Sequence, residues 1–417
     1  MIVQKYGGTS VGTAARIKQV ARRIAETVAS GEQVVAVVSA MGDTTDHLIA
    51  LALKLHEDPP ARELDMLVAN GETITAPLVA MRLQSLGVPA LSLNGLQAGV
   101  RTSPAHSKAR IRHIDPSRIR SALNQGKVPV VAGFQGVTDE FEITTLGRGA
   151  SDTSAVALAA ALDARICEIY TDVEGILTAD PRVVPEARLL RYISYEECLE
   201  LASAGAKVMH PRAVELGELY GIPIHVRSSF HRREGTMIVA DAEVPMEERN
   251  RVRGVAHEFG VAKVTVLGVP DRPGIAAAIF EPLSDAGLSV DVIIQNVSSD
   301  GETDLTLTCS DSELKTVTPL VQRAAAEIGA RQVICAGGAA KVSIVGTGMV
   351  GTPGIAARMF RTLSAANVNI EMISTAEIRI TCLVKRDDVE RAVRALHTAF
   401  ALDQQDLSDE ESESAVG

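Results

Sequence analysis

Apolar, β-branched runs alternate with helical patterns over the first 240 residues of the chain. The runs lie at residues 34–39, 88–93, 128–134, 166–172 and 222–229. In the first helical pattern, apolar residues recur at i, i+3, i+4, i+7, i+8 and i+11: Ile17, Val20, Ala21, Ile24, Ala25 and Val28. This spacing predicts an amphipathic helix, which Gly31 would end. The alternation as a whole predicts a three-layer α/β/α sandwich around a mostly parallel sheet over residues 1–240.

A second region begins after residues 241–250, whose charged, proline-containing sequence predicts a linker. Residues 263–293 resemble residues 341–373, and both copies contain the sequence PGIAA. Each copy predicts a strand, a Pro-Gly loop, a helix, two strands and a second helix. The sequence therefore contains a tandem repeat, with copies near 263–336 and 341–400.

Only the first copy of the repeat ends in a further strand, which we predict at residues 331–336. The segment 251–259 has no other partner and is predicted to supply the missing strand of the second copy. The two ββαββα units would then be interleaved within residues 251–400. Residues 401–417 contain six acids and no base, which predicts a disordered, solvated tail.

Composition narrows the class of protein. The 417 residues are 46% hydrophobic and 22% charged, with 3% aromatic residues and no Trp. Such a composition is typical of α/β folds with buried parallel strands. The net charge of −11 comes largely from the tail, and no basic stripe is present, which argues against nucleic-acid binding. Neither a signal pattern nor a membrane-spanning apolar run occurs, so a cytoplasmic enzyme or regulator is predicted.

The cysteines do not form a recognisable site. They are scattered through the chain without a CxxC pair: Cys167, Cys198, Cys309, Cys335 and Cys382. We therefore predict neither a zinc site nor a disulfide framework, and expect buried, reduced thiols.

The N-terminal sequence KYGGTSV suggests a site for an anion. Gly7 and Gly8 would let the backbone approach it, and a helix starting near Thr13 would direct its N-terminus there. Lys5 precedes the glycines, whereas a P-loop places its lysine after them. We predict that Lys5 reaches the same anion from the end of a strand. The alternative is a solvent-exposed lysine beside a tight turn.

Three further polar loops follow predicted strands or precede helices, at residues 39–46, 144–152 and 170–188. Ligands of open α/β sheets bind at the carboxyl ends of the strands, so these loops are expected to converge there with the first. A plainer interpretation exists for Ser151 and Asp152, since either could cap the helix that follows.

Taken together, these segments resemble the signature sequences of aspartate kinases. They are KYGGTSV, VVSAMGDTTD, NGETI, TTLGRGASDT, TDVEGILTADPRV and AGAKVMHPRAVE. The repeat resembles the paired ACT domains of the same enzymes, and the resemblance extends from residue 1 to about 400. It implies an amino-acid-kinase sandwich followed by two interleaved, ferredoxin-like ACT domains.

The resemblance implies phosphoryl transfer from ATP, with Mg²⁺, to the side-chain carboxylate of L-aspartate. The product would be 4-phospho-L-aspartate, in the first step of lysine, threonine and methionine biosynthesis. A carboxylate is already ionised at pH 7, so the reaction needs no general base. It needs positive charge instead, because an anionic nucleophile must approach an anionic phosphate.

The resemblance also implies roles for individual residues. The catalytic residues would be Lys5, Arg148 and Asp152. The aspartate contacts would be Thr45, Glu72, Arg148, Gly149 and Ser151. The nucleotide contacts would be Lys5, Gly7, Gly8, Ser39, Thr171, Asp172, Leu177, Thr178, Asp180, Pro181, Arg182 and Lys207. Without the resemblance, Glu72 would be interpreted as a helix-surface acid and Lys207 as a solvated helix end.

For the ACT domains, the resemblance implies inhibition by lysine, threonine or both. The expected effector contacts are Asp271, Asp291 and Gln295 in the first copy, and Ile355, Ala356, Asn369, Ile370, Ala376 and Glu377 in the second. Alternatively, the domains serve only to form a homodimer or larger assembly. An internal start near Met246 would yield a separate small subunit and an α2β2 form. The rival functions are a glutamate-type kinase of the same fold and a non-catalytic amino-acid sensor.

Overall fold

The computed structural model describes residues 1–147, 149–206, 208–245, 252–297, 301–349 and 351–404. The chain forms two compact units. The first comprises Met1–Leu177, Leu189–Ser203 and Lys207–Arg249, and the second comprises Thr178–Arg188, Ala204–Ala206 and Asn250–Gly417. Arg148, Lys207, Met246 and the acidic tail from residue 405 lie outside the described residues.

The first unit alternates strands and helices. Its strands are β1 (Ile2–Tyr6), β2 (Val34–Val38), β3 (Ala90–Leu93), β4 (Val100–Thr102), β5 (Ile111–Ile114), β6 (Val128–Ala132), β7 (Gln135–Val137), β8 (Ile143–Thr145), β9 (Cys167–Thr171), β10 (Tyr192–Ser194), β11 (Ile224–Ser228) and β12 (Thr236–Val239). Its helices are α1 (Gly8–Val11), α2 (Ala14–Ala29), α3 (Thr44–Leu55), α4 (Ala61–Val68), α5 (Asn70–Ser85), α6 (Ser117–Asn124), α7 (Ser151–Leu162), α8 (Tyr195–Ser203) and α9 (Pro211–Tyr220).

The main sheet of this unit has the order β10-β12-β11-β9-β1-β2-β6-β3. Its pairings are parallel except between β11 and β12, which confirms the predicted, mostly parallel sheet. Each of the five apolar runs contains one of its strands. A small sheet of order β5-β4-β7-β8 was not predicted, because its strands are only three or four residues long.

Strand β1 lies inside the main sheet, and its side chains alternate between the two faces. Ile2 and Tyr6 pack into a core shared with α2 and α5. Lys5 alternates with Tyr6 and therefore points to the other face, where α7 contacts β1. Helix α2 buries its predicted apolar face, and its N-cap Thr13 accepts a hydrogen bond from the Arg16 amide. One element here was not predicted, the single turn α1 that starts directly after Gly7.

The second unit contains six described strands in one antiparallel sheet of order β14-β15-β13-β16-β18-β17. They are β13 (Gly254–Pro270), β14 (Ile293–Val297), β15 (Glu302–Ser310), β16 (Gln332–Val345), β17 (Met372–Ala376) and β18 (Arg379–Lys385). The helices are α10 (Ile275–Asp285), α11 (Leu314–Ile328), α12 (Ile355–Ala365) and α13 (Val389–Ala399). Two hydrophobic cores result, one with α10 and α11 and one with α12 and α13.

The two copies of the repeat are interleaved, as predicted. The first half of β13, residues 254–259, pairs with residues 340–345 of β16, which in turn pair with β18. The second half of β13 pairs with β15 and with the start of β16. The structure differs in one respect, because predicted strands 251–259 and 331–336 are halves of long strands. Gly260 and Gly338, at φ +75° and +76°, lie where each long strand changes copy.

No helix within the described ranges is long and apolar enough to cross a membrane.

Candidate active site

Lys5 lies in the interior of the first unit rather than in solvent. It is 8% exposed, and its Nζ lies 2.6 Å from Oδ1 of Asp152 in the first turn of α7. A buried ammonium requires a compensating charge, and this carboxylate provides it. The interpretation of Lys5 as a solvated strand-end residue is therefore wrong, and the pair fixes the ammonium at the carboxyl end of β1.

The glycines after Lys5 permit close backbone approach. A Cβ added to Gly7 would lie 3.4 Å from Lys5 Nζ, and one added to Gly8 would lie 3.1 Å from the Ala40 carbonyl oxygen. The Gly42 amide donates to the Gly8 carbonyl at 3.0 Å. The loop after β1 thus contacts the loop after β2, so two of the predicted polar loops come together.

The start of α7 joins the same edge. Ser151 and Asp152 are 6% and 7% exposed, and neither caps the helix, because its N-cap position is Ala150 with no side-chain hydrogen bond. A Cβ on Gly133, which follows β6, would lie 3.1 Å from Ser151 Oγ. The capping interpretation is therefore wrong. Ser39, at the end of β2, is half-buried and donates its amide to the Tyr6 carbonyl at 3.0 Å.

Glu72 is a buried acid near the start of α5, not a helix-surface residue. It is 3% exposed, and its Oε1 accepts a hydrogen bond from the Ala40 amide at 3.1 Å. Its Oε2 is buried without a hydrogen-bond partner among the residues described. Burial raises the pKa of Glu72 to about 7. Such a carboxylate is suited to a bound cation, since an ammonium would compensate its burial. Thr45, in the first turn of α3, is half-buried.

The loop that carries Arg148 is held by residues that the sequence analysis missed. Asp65 of α4 is 1% exposed and accepts hydrogen bonds from the Thr145 amide at 3.0 Å and the Thr145 hydroxyl at 2.6 Å. The Arg212 guanidinium donates to the Leu146 carbonyl at 2.8 Å. An acid within the apolar pattern of α4 was the available signal for Asp65. Gly147 and Gly149 have φ of +96° and +77°, in the left-handed region that favours glycine.

The expected nucleotide residues divide between the two units. Thr171 ends β9 in the first unit, where its hydroxyl donates to Asp172 Oδ1 at 3.2 Å, and Leu177 bridges to Leu189. Thr178 belongs to the second unit, is 1% exposed and shares a 2.9 Å hydrogen bond with His397 Nε2. Because its hydroxyl is engaged there, Thr178 is withdrawn from the nucleotide contacts.

Three further nucleotide candidates lie on a turn of the second unit. Arg182 Nη2 pairs with Asp180 Oδ2 at 2.7 Å, while Pro181 between them is exposed. The pair is local and leaves most of Arg182 in solvent, at 88% side-chain exposure. Lys207 lies outside the residues that the structure describes.

One of the effector residues expected in the ACT domains, Asp291, forms an ion pair with a lysine. Lys341 pairs with Asp291 and, at 3.1 Å, with Glu258. Lys263, the counterpart of Lys341 in the first copy, pairs with Glu371 at 3.2 Å. The Lys341–Asp291 and Lys263–Glu371 pairs therefore each join the first strand of one copy to an acid of the other, whereas Glu258 belongs to the same copy as Lys341.

The remaining effector candidates differ in exposure. Ile355 is 8% exposed and its side chain belongs to the core with α12 and α13; its role as an effector contact stays a prediction. Ala356 and Ile370 pack against that core. The exposed candidates are Asp271, Gln295, Asn369, Ala376 and Glu377.

The donor set near Lys5 fits Mg²⁺ only as an ion carried by substrate phosphates. Among the residues described, no group of three His, Cys, Asp or Glu side chains is placed to hold a metal. Mg²⁺ commonly binds through one or two carboxylates, water and nucleotide phosphates. Asp152 is the carboxylate available beside Lys5.

Comparison with known proteins identifies the family. Residues 1–228 match the model of the amino acid kinase family, and residues 263–326 and 342–400 each match an ACT domain model. The aspartokinase of Mycolicibacterium smegmatis is 50% identical over 406 residues, which cover 96% of each chain.

Two solved structures of E. coli aspartokinase III are also similar. The complex with aspartate and ADP (R-state) has a TM-score of 0.79 at 27% identity, covering 96% of this chain and 99% of that one. The complex with lysine and aspartate (T-state) has a TM-score of 0.71 at 26% identity, with the same coverage. The chain therefore belongs to the aspartokinase family, in which an amino acid kinase domain is followed by ACT domains.

Proposed function

We propose that this chain transfers the γ-phosphoryl group of Mg-ATP to the side-chain carboxylate of L-aspartate, giving ADP and 4-phospho-L-aspartate. This would be the first step toward lysine, threonine and methionine. The observation that supports it most is the buried Lys5–Asp152 pair beside Gly7, at the carboxyl end of a central parallel strand.

In this proposal the residues act through charge and position. Lys5 binds the phosphates and offsets the charge that builds up as the two anions approach, while Asp152 holds its ammonium in place. Asp152 would be the protein carboxylate that holds Mg²⁺, and the ion would supply further positive charge to the phosphates when bound. No side chain need remove a proton, because the attacking carboxylate is already ionised at pH 7.

The substrate contacts follow from the same placement. Glu72 Oε2 would bind the α-ammonium of aspartate, and Arg148 would hold the α-carboxylate as a bidentate fork. The other aspartate contacts would be Thr45, Gly149 and Ser151. The nucleotide contacts would be Lys5, Gly7, Gly8, Ser39, Thr171, Asp172, Leu177, Asp180, Pro181, Arg182 and Lys207.

One assay separates the candidate functions. Purified protein is incubated with Mg-ATP, hydroxylamine and either aspartate or glutamate, and the acyl phosphate is measured as its hydroxamate. We expect product with aspartate and none above background with glutamate. Product from glutamate alone would assign a glutamate-type kinase, and no product from either would favour the non-catalytic sensor.

We also propose that lysine, threonine or both inhibit the enzyme at the ACT domains. The support is the arrangement of Asp291, whose exposed carboxylate is occupied by the Lys341 ammonium. An effector ammonium would have to displace that side chain to bind Asp291. Lys263 and Glu371 form the equivalent pair of the other copy, so two related effector sites are proposed. Inhibition requires that effector binding favour a less active state by about 1–3 kcal/mol.

Replacing Lys341 by methionine should make inhibition by lysine more sensitive. Methionine retains the apolar stem but frees Asp291 from its internal ammonium, so the half-inhibiting concentration should fall by roughly 3- to 10-fold, the worth of one such contact. Aspartate kinase activity is measured against lysine, against threonine and against both together. Lys385→Met, on the exposed end of β18, is the control and should not change the titration. An unchanged or higher half-inhibiting concentration for Lys341→Met would contradict the proposed competition.

We also propose an oligomeric state and a cellular location for the protein. We expect a homodimer or larger assembly through the ACT domains, in the cytoplasm, where ATP and free amino acids are available. Translation from an internal start near Met246 would add a separate regulatory subunit and give an α2β2 form. Intact mass measurement of the natively expressed protein would detect that subunit, and its absence would leave the homo-oligomer.

A further inference from the structure

A segment of eleven residues leaves the first unit and becomes part of the second. The chain departs after Leu177 and returns at Leu189, and these two residues form an antiparallel bridge. The residues between them, Thr178–Arg188, belong to the second unit. We call Thr178–Arg188 the inserted segment. It directly follows residues 171–177, to which we assigned part of the nucleotide site.

The inserted segment contributes apolar side chains to the core around α12 and α13. Ala179, Val183 and Val184 are 6%, 7% and 3% exposed, and all three belong to that core. Burial of these three apolar side chains away from water stabilises the packing of the segment against that core. The segment is therefore anchored in the regulatory unit and is not a free surface loop.

Directional hydrogen bonds fix the register of the inserted segment. Thr178 Oγ1 lies 2.9 Å from Nε2 of His397 on α13, and His397 is only 2% exposed. The Val255 amide of β13 donates to the Thr178 carbonyl at 2.8 Å. Arg394, also on α13, donates its Nε–H to the Val183 carbonyl at 2.8 Å. Two residues of α13 that lie about one turn apart, Arg394 and His397, thus bind the segment.

A second short segment of the chain is also part of the second unit and adjoins a proposed nucleotide residue. Ala204–Ala206 also belongs to the second unit and directly precedes Lys207, another proposed nucleotide residue. Gly205 has a φ of +112°, and a Cβ there would lie 2.2 Å from the His257 carbonyl oxygen of β13. Only glycine fits this approach. Two chain segments adjacent to nucleotide residues are therefore held by β13 and, for the first, by α13.

We propose that His397 is a positioning residue for ATP. By holding Thr178, it fixes the start of the inserted segment and hence the backbone of the preceding residues that bind the nucleotide. The regulatory unit would then control the affinity for ATP more than that for aspartate. This inference rests on the proposed nucleotide site, and it adds a role for a residue of α13 that contacts neither substrate.

Steady-state kinetics of Thr178→Val, His397→Leu and the double variant test the proposal. Valine has the shape of threonine without the hydroxyl, so packing is preserved. The substitution removes the bond to His397 and also the hydrogen bond that Thr178 Oγ1 accepts from the Arg188 amide at 2.9 Å. We expect each single variant to raise KM for ATP roughly 3- to 10-fold, the range of one buried hydrogen bond, with kcat and KM for aspartate changed less than twofold. Because both variants remove the same bond, the double variant should exceed the larger single effect by less than twofold.

Two controls separate positioning from general loss of stability. Leu363→Ala creates a cavity in the same core, on α12, and should lower Tm without changing KM for ATP. Thr178→Ser keeps a hydroxyl and should restore KM for ATP to within twofold of the parent protein. Should the buried variants not fold, Arg394→Met is available, because the Arg394 side chain is 59% exposed. It should raise KM for ATP roughly two- to fivefold by losing the bond to Val183.

The proposal would be overturned if KM for ATP stayed unchanged in well-folded variants, or if KM rose equally for both substrates. An equal rise in Leu363→Ala would also overturn it, since stability alone would then explain the effect. Failure of the proposed function is a different result, because the parent protein itself would form no aspartyl hydroxamate.

Discussion

Lys5→Ala is expected to lower kcat by at least roughly 10²-fold. The substitution removes a positive charge that is fixed, 2.6 Å from Asp152, at the place where the phosphates are proposed to bind. Removal of one preorganised electrostatic stabiliser commonly lowers kcat by 10²- to 10³-fold. ADP release with saturating Mg-ATP and aspartate measures the effect, and circular dichroism verifies the fold.

Two variants accompany this measurement. Lys18→Ala removes an exposed lysine from the solvent face of α2 and should leave kcat unchanged. Asp152→Asn should lower kcat as well, because the ammonium of Lys5 loses the carboxylate that holds it. Near-normal turnover in a folded Lys5→Ala protein would show that Lys5 has been assigned the wrong role.

Glu72→Gln is expected to lower kcat/KM for aspartate by roughly 30- to 1000-fold. The change removes the negative charge proposed to bind the α-ammonium and leaves that ammonium without its counter-ion in a buried site, a loss of about 2–4 kcal/mol. KM for ATP should change less than twofold. Glu63→Gln, an exposed acid on α4, is the matched control and should behave as the parent protein. A change in kcat/KM for ATP as large as the change in kcat/KM for aspartate would contradict the assignment of Glu72 to the aspartate site.

The pH dependence gives an independent test of Glu72. Since the pKa of Glu72 is about 7 in the unliganded protein, kcat/KM for aspartate should rise between about pH 6 and 8 and then level off. Glu72→Gln should abolish this rise. A rise in kcat/KM with pH that persists in Glu72→Gln would come from the titration of another group and would contradict this role of Glu72.

The stability of the unliganded protein should fall with increasing pH, whereas kcat/KM for aspartate should rise. The pKa of Glu72 is raised from its ordinary value of 4.5 to about 7, so the protein loses stability as pH rises from about 4.5 to about 7, and this loss is complete at higher pH. Glu72→Gln cannot ionise and should therefore have the higher Tm at pH 8. Thermal denaturation of the two proteins at pH 5 and pH 8 measures the difference.

Much of the fold could be predicted from hydrophobic periodicity. The strands β2, β3, β6, β9 and β11 follow directly from apolar runs. The fully buried β2 and β6 show this best, because strands covered on both faces need little polar alternation. The repeat predicted the interleaved units because the strand missing from one copy had to come from elsewhere. The merging of adjacent strands into β13 and β16 was not predicted, since Gly260 and Gly338 are normally signs of a turn.

The site was less predictable than the fold. The sequence around Lys5 left open whether the lysine approaches an anion or lies in solvent. Its pairing with Asp152 depends on the contact between β1 and α7, which are distant in sequence. The burial of Asp65 and Glu72 likewise depends on tertiary packing. The sequence did not reveal that residues 178–188 join the other unit, nor that the Thr178 hydroxyl is engaged there with His397.

The most direct test of the central claim is ³¹P NMR of a reaction containing this protein, Mg-ATP and aspartate. If the cationic strand-end site joins the two anions, an acyl phosphate resonance should appear in one-to-one ratio with ADP, and it should be missing when Lys5→Ala replaces the parent protein. ADP accompanied only by inorganic phosphate, at a rate independent of aspartate, would contradict the account.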